Sequence, residues 1–193
     1  MNVYLDGKFG FGIDLDSLVI FDLRVGKRMS QKRIDEVVRK AEFQKTYDKL
    51  LQYSTTRPRS EKEINDWLKR KIGKDLNEEL YNKQSLRLRQ RLKRLELIDD
   101  EKFARWWIEQ RNAFRPRSKR VLVQELRLKG IDKYIIENAL SEYEINEDVI
   151  AKSLYDRNKY KWERLPEFER KQKASAYLAR KGFGWDVIKK VIN

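Results

Sequence analysis

The tetrapeptide Arg-Pro-Arg-Ser occurs twice in this chain, at residues 57–60 and again at residues 115–118. At the same offset of 58 residues the flanking apolar residues also align, so that Ile64 matches Leu122. Apolar residues recur every three or four positions on both sides of each tetrapeptide, and proline interrupts the pattern. Each copy therefore predicts a helix, a short basic loop and a second helix, which favours related helical units over one large core.

A third, looser copy follows the first two. The segment 177–183 parallels 125–131, because both carry Lys-Gly before an apolar residue, while the basic loop has become 161–166 and Asp186 is expected to cap a closing helix. A three-helix unit of about 40 to 50 residues has little core of its own, so neighbouring units must share apolar surface. We predict a mainly α-helical chain of tandem three-helix repeats in an elongated, curved array. The predicted repeats span residues 30–97, 98–145 and 146–193.

Residues 1–29 have a different character and form a separate predicted segment. Two short apolar stretches, 3–5 and 8–11, flank Asp6-Gly7, a dipeptide suited to a two-residue turn because glycine tolerates positive φ. We expect a small N-terminal β-hairpin here. After it, helical periodicity over 31–53 predicts one long helix that leads into the first repeat.

The charge balance limits the possible functions. Lysine and arginine number 45 against 31 aspartates and glutamates, a formal net charge of +14, and the chain holds no cysteine and no histidine. Disulfides, thiolate zinc sites, histidine metal ligands and Ser-His catalysis are thereby excluded. Without a Gly-rich phosphate loop we expect no cofactor. The excess of positive charge predicts a polyanionic partner, with nucleic acid the first candidate.

The distribution of apolar residues indicates where the protein acts. The longest strongly apolar run is 18–21, which is far too short to span a bilayer, and the first six residues lack the features of a signal peptide. We expect a cytoplasmic protein without membrane segments. No leucine heptad is sustained long enough for a coiled coil, so we expect a monomer.

An arginine ridge is predicted on the helix before the second repeat. Residues 84–129 carry 14 of the basic residues and 6 of the acidic ones. Within this segment Arg87, Arg91 and Arg94 share a helix face with about 6 Å between neighbours, close to the phosphate spacing of a nucleic-acid strand. The ridge is either a phosphate-facing surface or the solvated side of an amphipathic helix.

The basic loops offer a second set of cations. Arg115, Arg117, Lys119 and Arg120 lie beside a helix start, where free N–H groups and the helix dipole favour anions. Alternatively, proline stiffens the turn, serine caps the helix and the arginines point to solvent. The partner of such a loop is either a DNA phosphate or an acidic protein face.

Aromatic and acidic residues accompany these cations. Phe103 and Trp107, four residues apart, are expected in the core, whereas Trp106 is expected either to pack or to stack on a base. Trp67, Trp162 and Trp185 are expected to pack between helices. The acidic run 99–101 is more typical of a helix start than of a Mg²⁺ nuclease site.

Three segments stand in a characteristic order along the chain. They are 97–107, with its Asp-Asp and Phe-Ala, then Arg111, and then 125–131, which ends in Lys-Gly-Ile. In this order they resemble the RecX family, the regulators of the recombinase RecA. Residues 4–7 resemble the extended front segment of some members, so the resemblance covers nearly the whole chain.

The resemblance implies a non-enzymatic protein that binds in the groove of a RecA–DNA filament. There it would dampen strand exchange and ATP hydrolysis, in DNA repair and SOS regulation. The implied partners are the RecA filament and single-stranded DNA, or double-stranded DNA. Charge alone leaves open a general DNA- or RNA-binding helical protein that acts without RecA. The candidate contact residues for RecA or DNA are Arg57, Arg59, Arg87, Arg91, Arg94, Trp106, Arg111, Arg115, Arg117, Lys119, Arg120, Lys161 and Arg164.

Overall fold

The computed structural model describes residues 1–192, and within them ten α-helices follow a two-stranded hairpin. The prediction of a mainly helical chain with an N-terminal hairpin is confirmed. None of the helices in this range is both long and apolar enough to cross a bilayer. The strands are β1 (Asn2–Leu5) and β2 (Lys8–Gly12), and the helices are α1 (Leu15–Ile20), α2 (Gln31–Thr55), α3 (Glu61–Ile72), α4 (Glu78–Arg94), α5 (Asp100–Phe114), α6 (Lys119–Leu128), α7 (Lys133–Ser141), α8 (Glu147–Asn158), α9 (Glu167–Arg180) and α10 (Trp185–Ile192).

The hairpin turns where the sequence predicts it. Leu5 lies opposite Lys8 in the antiparallel pair, which leaves a two-residue loop. Both loop residues have positive φ, 48° at Asp6 and 81° at Gly7. Two consecutive positive φ values match the right-handed twist of the strands, and aspartate and glycine tolerate them at low cost.

The first compact unit of the chain consists of Met1–Arg57 together with Ile64–Leu97. In it, Phe11 and Ile13 pack with Val37 and Ala41 of α2, so the hairpin covers the first half of the long helix. Ser30 caps α2 through its side chain, which accepts a hydrogen bond from the Arg33 N–H. Further along, Tyr53 stacks on Trp67 with ring centroids 5.8 Å apart.

The second compact unit consists of Pro58–Glu63 together with the chain from Ile98 onward. Among its described residues, two sets of three consecutive helices each form an apolar cluster. Helices α5, α6 and α7 surround Phe103, Ile108, Leu122 and Leu126. Helices α8, α9 and α10 enclose a smaller cluster that includes Leu178.

The middle helix of each triplet in the second unit ends in the same way. Gly130 after α6 and Gly182 after α9 have φ values of 82° and 93°. The Ile131 N–H donates to the Leu126 carbonyl at 3.1 Å, and Phe183 makes the equivalent bond at 3.3 Å. This left-handed ending satisfies carbonyls that the helix leaves free, and it places the next apolar residue in the core.

Two local expectations are wrong. Trp185 is 59% exposed, and its ring lies 5.7 Å from the Lys189 ammonium group instead of packing between helices. Helix α10 begins at Trp185, so Asp186 lies inside the first turn and does not cap it. Helix α10 thus starts earlier than predicted, and Trp185 is its first residue.

Tyr143 is expected to ionise at an unusually high pH. Its hydroxyl donates to Glu109 Oε1 at 2.8 Å, and burial together with this carboxylate raises the pKa of Tyr143 to about 12. Because an unfolded tyrosine titrates at about 10, the stability linked to Tyr143 should be present below pH 10 and be lost as the pH rises to 12. Absorbance at alkaline pH should show a tyrosine ionisation near pH 12. Glu109→Gln should move this ionisation to lower pH, and an unchanged titration curve for that variant would contradict the assignment.

Candidate nucleic-acid interface

The arginine ridge lies exposed on α4, and two of its three members stack on aromatic rings of α2. The guanidinium groups of Arg87 and Arg91 each lie 5.1 Å from the Phe43 ring, and that of Arg91 lies 4.9 Å from the Tyr47 ring. Among residues 1–192, no carboxylate lies within 4 Å of these guanidinium groups or that of Arg94. Stacking fixes the orientation of a guanidinium while leaving its N–H groups available to an anion. Phosphate contact by the ridge stays a prediction.

The first basic loop contacts the end of α6. Ser60 is fully buried; its Oγ accepts from the Glu63 N–H at 3.2 Å and donates to the Lys129 carbonyl at 2.8 Å. The Lys62 ammonium donates to the Leu128 carbonyl at 2.9 Å. We call the contact between residues 60–63 and 128–130 the first joint.

Internal carboxylates neutralise the first joint. The Lys129 ammonium lies 2.6 Å from Glu63 Oε1. At the start of α3 the Glu61 N–H donates to Asp100 Oδ1 at 2.8 Å, so the helix N-terminus already holds an anion of the chain itself. Arg57 and Arg59, which flank Pro58, are both partly buried.

The second basic loop contacts the end of α9 in a related way. Ser118, 1% exposed, donates its backbone N–H to the Lys181 carbonyl at 3.2 Å, and its Oγ accepts from the Val121 N–H at 3.3 Å. We call the contact between residues 118–121 and 181–182 the second joint. The Lys119 N–H donates to Glu147 Oε1 at 2.7 Å, so this helix N-terminus is also occupied. The Glu147 carboxylate thus occupies part of the anion site that was expected at the start of α6.

The second joint differs from the first in charge. Val121 stands where the first joint has Glu63, and no carboxylate within residues 1–192 pairs with the Lys181 ammonium. Burial lowers the pKa of Lys181, and the nearby charges of Arg117 and Arg115 lower it further. The Arg117 Nε is buried and has no hydrogen-bond partner among residues 1–192. We call Arg115, Arg117 and Lys181 the cation cluster.

Arg111 and Trp106 occupy structural positions. The Arg111 Nε donates to Glu125 Oε2 at 2.6 Å, and its guanidinium lies 4.4 Å from the Trp107 ring. Trp106 is partly buried against the apolar cluster of α5, α6 and α7, with its ring centroid 5.8 Å from that of Phe103. These contacts favour a role in packing, and partner contact by either residue stays a prediction.

The remaining predicted residues are dispersed. Lys119, Arg120 and Arg164 are exposed. The Lys161 ammonium donates to Asn158 Oδ1 at 2.8 Å and lies 5.6 Å from the Tyr160 ring, so its described contacts are local. Asp99 caps α5 by accepting from the Lys102 N–H at 2.9 Å.

Two residues near the second loop were absent from the predicted site. Lys181 lies near this loop because its carbonyl, at the end of α9, accepts a hydrogen bond from the Ser118 N–H. Phe114, the last residue of α5, is 76% exposed immediately before Arg115. The parallel between 125–131 and 177–183 carried the signal for Lys181, since the same lysine precedes the same glycine. An exposed phenylalanine has no sequence signature.

The helices form sets of three, and basic loops whose serines cap the next helix connect to neighbouring sets. This arrangement defines a class of helical repeat protein with a cationic surface. Comparison with known proteins identifies the family. The profile described as "RecX, second three-helix domain" matches residues 99–140, and the one for the third three-helix domain matches 146–192. The regulatory protein RecX of Bacillus licheniformis is 36% identical over 191 residues, covering 97% of this chain and 69% of that protein. The chain belongs to the RecX family of regulatory proteins.

Further similarities agree with this assignment. The regulatory protein RecX of Bacillus subtilis is 33% identical, with 97% of this chain and 69% of that protein covered. A crystal structure of regulatory protein RecX superposes with a TM-score of 0.63 at 27% identity, covering 98% of this chain and 92% of that one. RecX from Lactobacillus salivarius, at 23% identity and a TM-score of 0.57 over 78% of this chain and 94% of that one, shares the fold.

Proposed function

We propose that this protein regulates the recombinase RecA by binding the RecA–DNA filament and inhibiting its strand exchange and ATP hydrolysis. The observation that carries the proposal is the similarity to RecX regulatory proteins over 97% of the chain. The proposed setting is DNA repair in the cytoplasm, where the protein binds as a monomer to a filament that contains single-stranded or double-stranded DNA.

The charge distribution supports a polyanionic surface as the target. The ridge on α4 and the cation cluster both present guanidinium groups without carboxylate partners among the described residues. Guanidinium groups bind phosphate or carboxylate through paired hydrogen bonds. A repeat protein makes many modest contacts instead of one deep pocket, which suits an extended filament.

The direct test is RecA ATPase activity on single-stranded DNA with increasing amounts of this protein. We expect the rate to fall at micromolar protein or below. An unchanged rate at micromolar excess would remove the proposal, and a higher rate would reverse the proposed sign of regulation.

Charge reversal at the second loop should weaken the inhibition. A charge-assisted hydrogen bond contributes about 1.5–3 kcal/mol, so Arg115→Glu with Arg117→Glu should raise the half-inhibitory concentration by about tenfold or more. Because the Arg117 Nε is buried, Arg115→Glu alone is tested in parallel to distinguish a weakened interface from misfolding. Lys133→Glu, at an exposed lysine on α7, matches the change in total charge of Arg115→Glu alone and should inhibit like the wild type.

A further inference from the structure

We propose that the cation cluster and the exposed Phe114 form a binding site for single-stranded nucleic acid, in which the cations hold phosphate and the phenyl ring stacks on a base. The proposal deepens the proposed function and rests on it, because it assigns the strand contact to one joint of the repeat array. Three observations about the second joint carry it.

The first observation is the difference between two joints of the same construction. Both connect a buried serine to the carbonyl of a lysine that precedes a left-handed glycine. In the first joint that lysine, Lys129, has Glu63 at 2.6 Å. In the second joint Val121 replaces the glutamate, so Lys181 lies near two arginines and pairs with no carboxylate of the described residues. The first joint forms with its lysine paired to a carboxylate. A joint of this construction therefore does not require an unpaired positive charge, and the unpaired charge in the second joint calls for another explanation.

The second observation is that no carboxylate of residues 1–192 pairs with the cluster, in which the Lys181 ammonium lies 5.4 Å from the Tyr177 ring. Arg115 and Lys181 have no carboxylate within 4 Å among the described residues, and the Arg117 Nε is buried without an acceptor. Like charges that share one site repel one another, and the two partly buried members, Arg117 and Lys181, also lose hydration, whereas Arg115 is exposed. A phosphate group bound beside them would offset both costs, because the carboxylate that the fold supplies at this joint, Glu147, accepts from the Lys119 backbone N–H at 2.7 Å and forms no ion pair with the three cations among residues 1–192.

The third observation selects the type of anion. Phe114 is 76% exposed and precedes Arg115 directly, whereas the equivalent position in the first repeat is Thr56. A set of carboxylates alone would pair with the cations without using the exposed ring. Unpaired bases gain stacking energy from such a ring, and every base has a face to offer. Cations beside an aromatic ring therefore favour a single strand over a duplex or an acidic protein surface.

The test measures binding without RecA, so that it can fail separately from the proposed function. The probe is a fluorescein-labelled oligothymidylate of about 20 nucleotides, followed by fluorescence anisotropy between about 50 and 200 mM salt. Each neutralised phosphate of a single strand adds about 0.7 to the slope of log affinity against log salt, so Arg115→Gln with Lys181→Gln should reduce that slope by about 1.4. Phe114→Ala should weaken binding about fivefold or more while leaving the slope unchanged.

Two further variants match the comparison between the joints. Lys129→Gln removes the lysine that Glu63 already neutralises, and it should leave the salt slope at the wild-type value. Val121→Glu deletes no cation but gives Lys181 the carboxylate that Lys129 has, and it should weaken binding as Lys181→Gln does. Circular dichroism checks the folding of each variant, and the double glutamine variant decides the test if Val121→Glu unfolds.

Each result decides for or against the site. A wild-type salt slope for the double glutamine variant would overturn it, as would an equal loss for Lys129→Gln. Variants that bind the oligonucleotide normally but fail to inhibit RecA would place an acidic protein face at the cluster, which overturns the site and leaves the proposed function standing. Weaker oligonucleotide binding, with a Phe114→Ala effect on single strands but not on duplexes, would support it.

Discussion

Replacing Gly182 by alanine is expected to lower the free energy of unfolding of the second unit by about 3 kcal/mol. Gly182 has a φ of 93°, a conformation that costs an L-residue about 1–2 kcal/mol. A Cβ at this position would also lie 2.3 Å from Val121 Cγ2 and 2.4 Å from Ser118 Oγ, so the second joint would have to open. Urea denaturation followed by far-UV circular dichroism measures the loss.

Gly184→Ala is the matched control for this substitution. Gly184 lies two residues further on, its φ is not positive, and no atom of residues 1–192 lies within 4 Å of an added Cβ, so stability should change by less than about 0.5 kcal/mol. Gly130→Ala should fall between the two, because the added Cβ meets the flexible side chain of Lys62 at 2.7 Å. Equal effects at Gly182 and Gly184 would show that the second joint contributes nothing to stability.

Replacing Phe103 by alanine is expected to cost about 3–5 kcal/mol. Phe103 is fully buried in the apolar cluster of α5, α6 and α7, and its ring stacks on that of Trp107 with centroids 5.8 Å apart. Truncation leaves a cavity that close-packed neighbours fill only in part. Urea denaturation of the variant should show a much lower midpoint.

Phe114→Ala provides the control for the loss of a phenyl ring from the same helix. Because Phe114 is 76% exposed, its truncation should change the free energy of unfolding by less than about 0.5 kcal/mol. The two variants thus separate a residue of the core from a residue of the proposed binding site. A large loss at Phe114, or a small one at Phe103, would show that the burial of α5 is wrongly assigned.

Local features of the fold were predictable because the chemistry that fixes them is local. The turn at Asp6-Gly7 and the cap at Ser30 depend on residues within a few positions of one another. The inward face of α5 followed from the helical spacing of Phe103 and Ile108. The start of α10 lies earlier than the capping pattern predicts, and the exposure of Trp185 depends on packing that helical spacing does not encode.

The candidate site was predictable only in part. The sequence alone pointed to Arg115 and Arg117, because four cations within six residues form a concentrated positive charge however the chain folds. It also suggested an anion site at the start of α6, and there the fold supplies Glu147 as a hydrogen-bond acceptor from a helix 28 residues away. The stacking of Arg87 and Arg91 on Phe43 required knowledge of how α2 packs on α4.

By itself, the sequence determined the helical repeat, the hairpin, the excess of positive charge and the family, since each depends on residue type and spacing along the chain. Only the tertiary structure decided which cations are neutralised. Lys129 and Lys181 stand in parallel segments, yet one meets Glu63 and the other meets two arginines. The physical reason is that charge pairing acts over a few ångströms in space, between residues that here lie 66 positions apart in sequence.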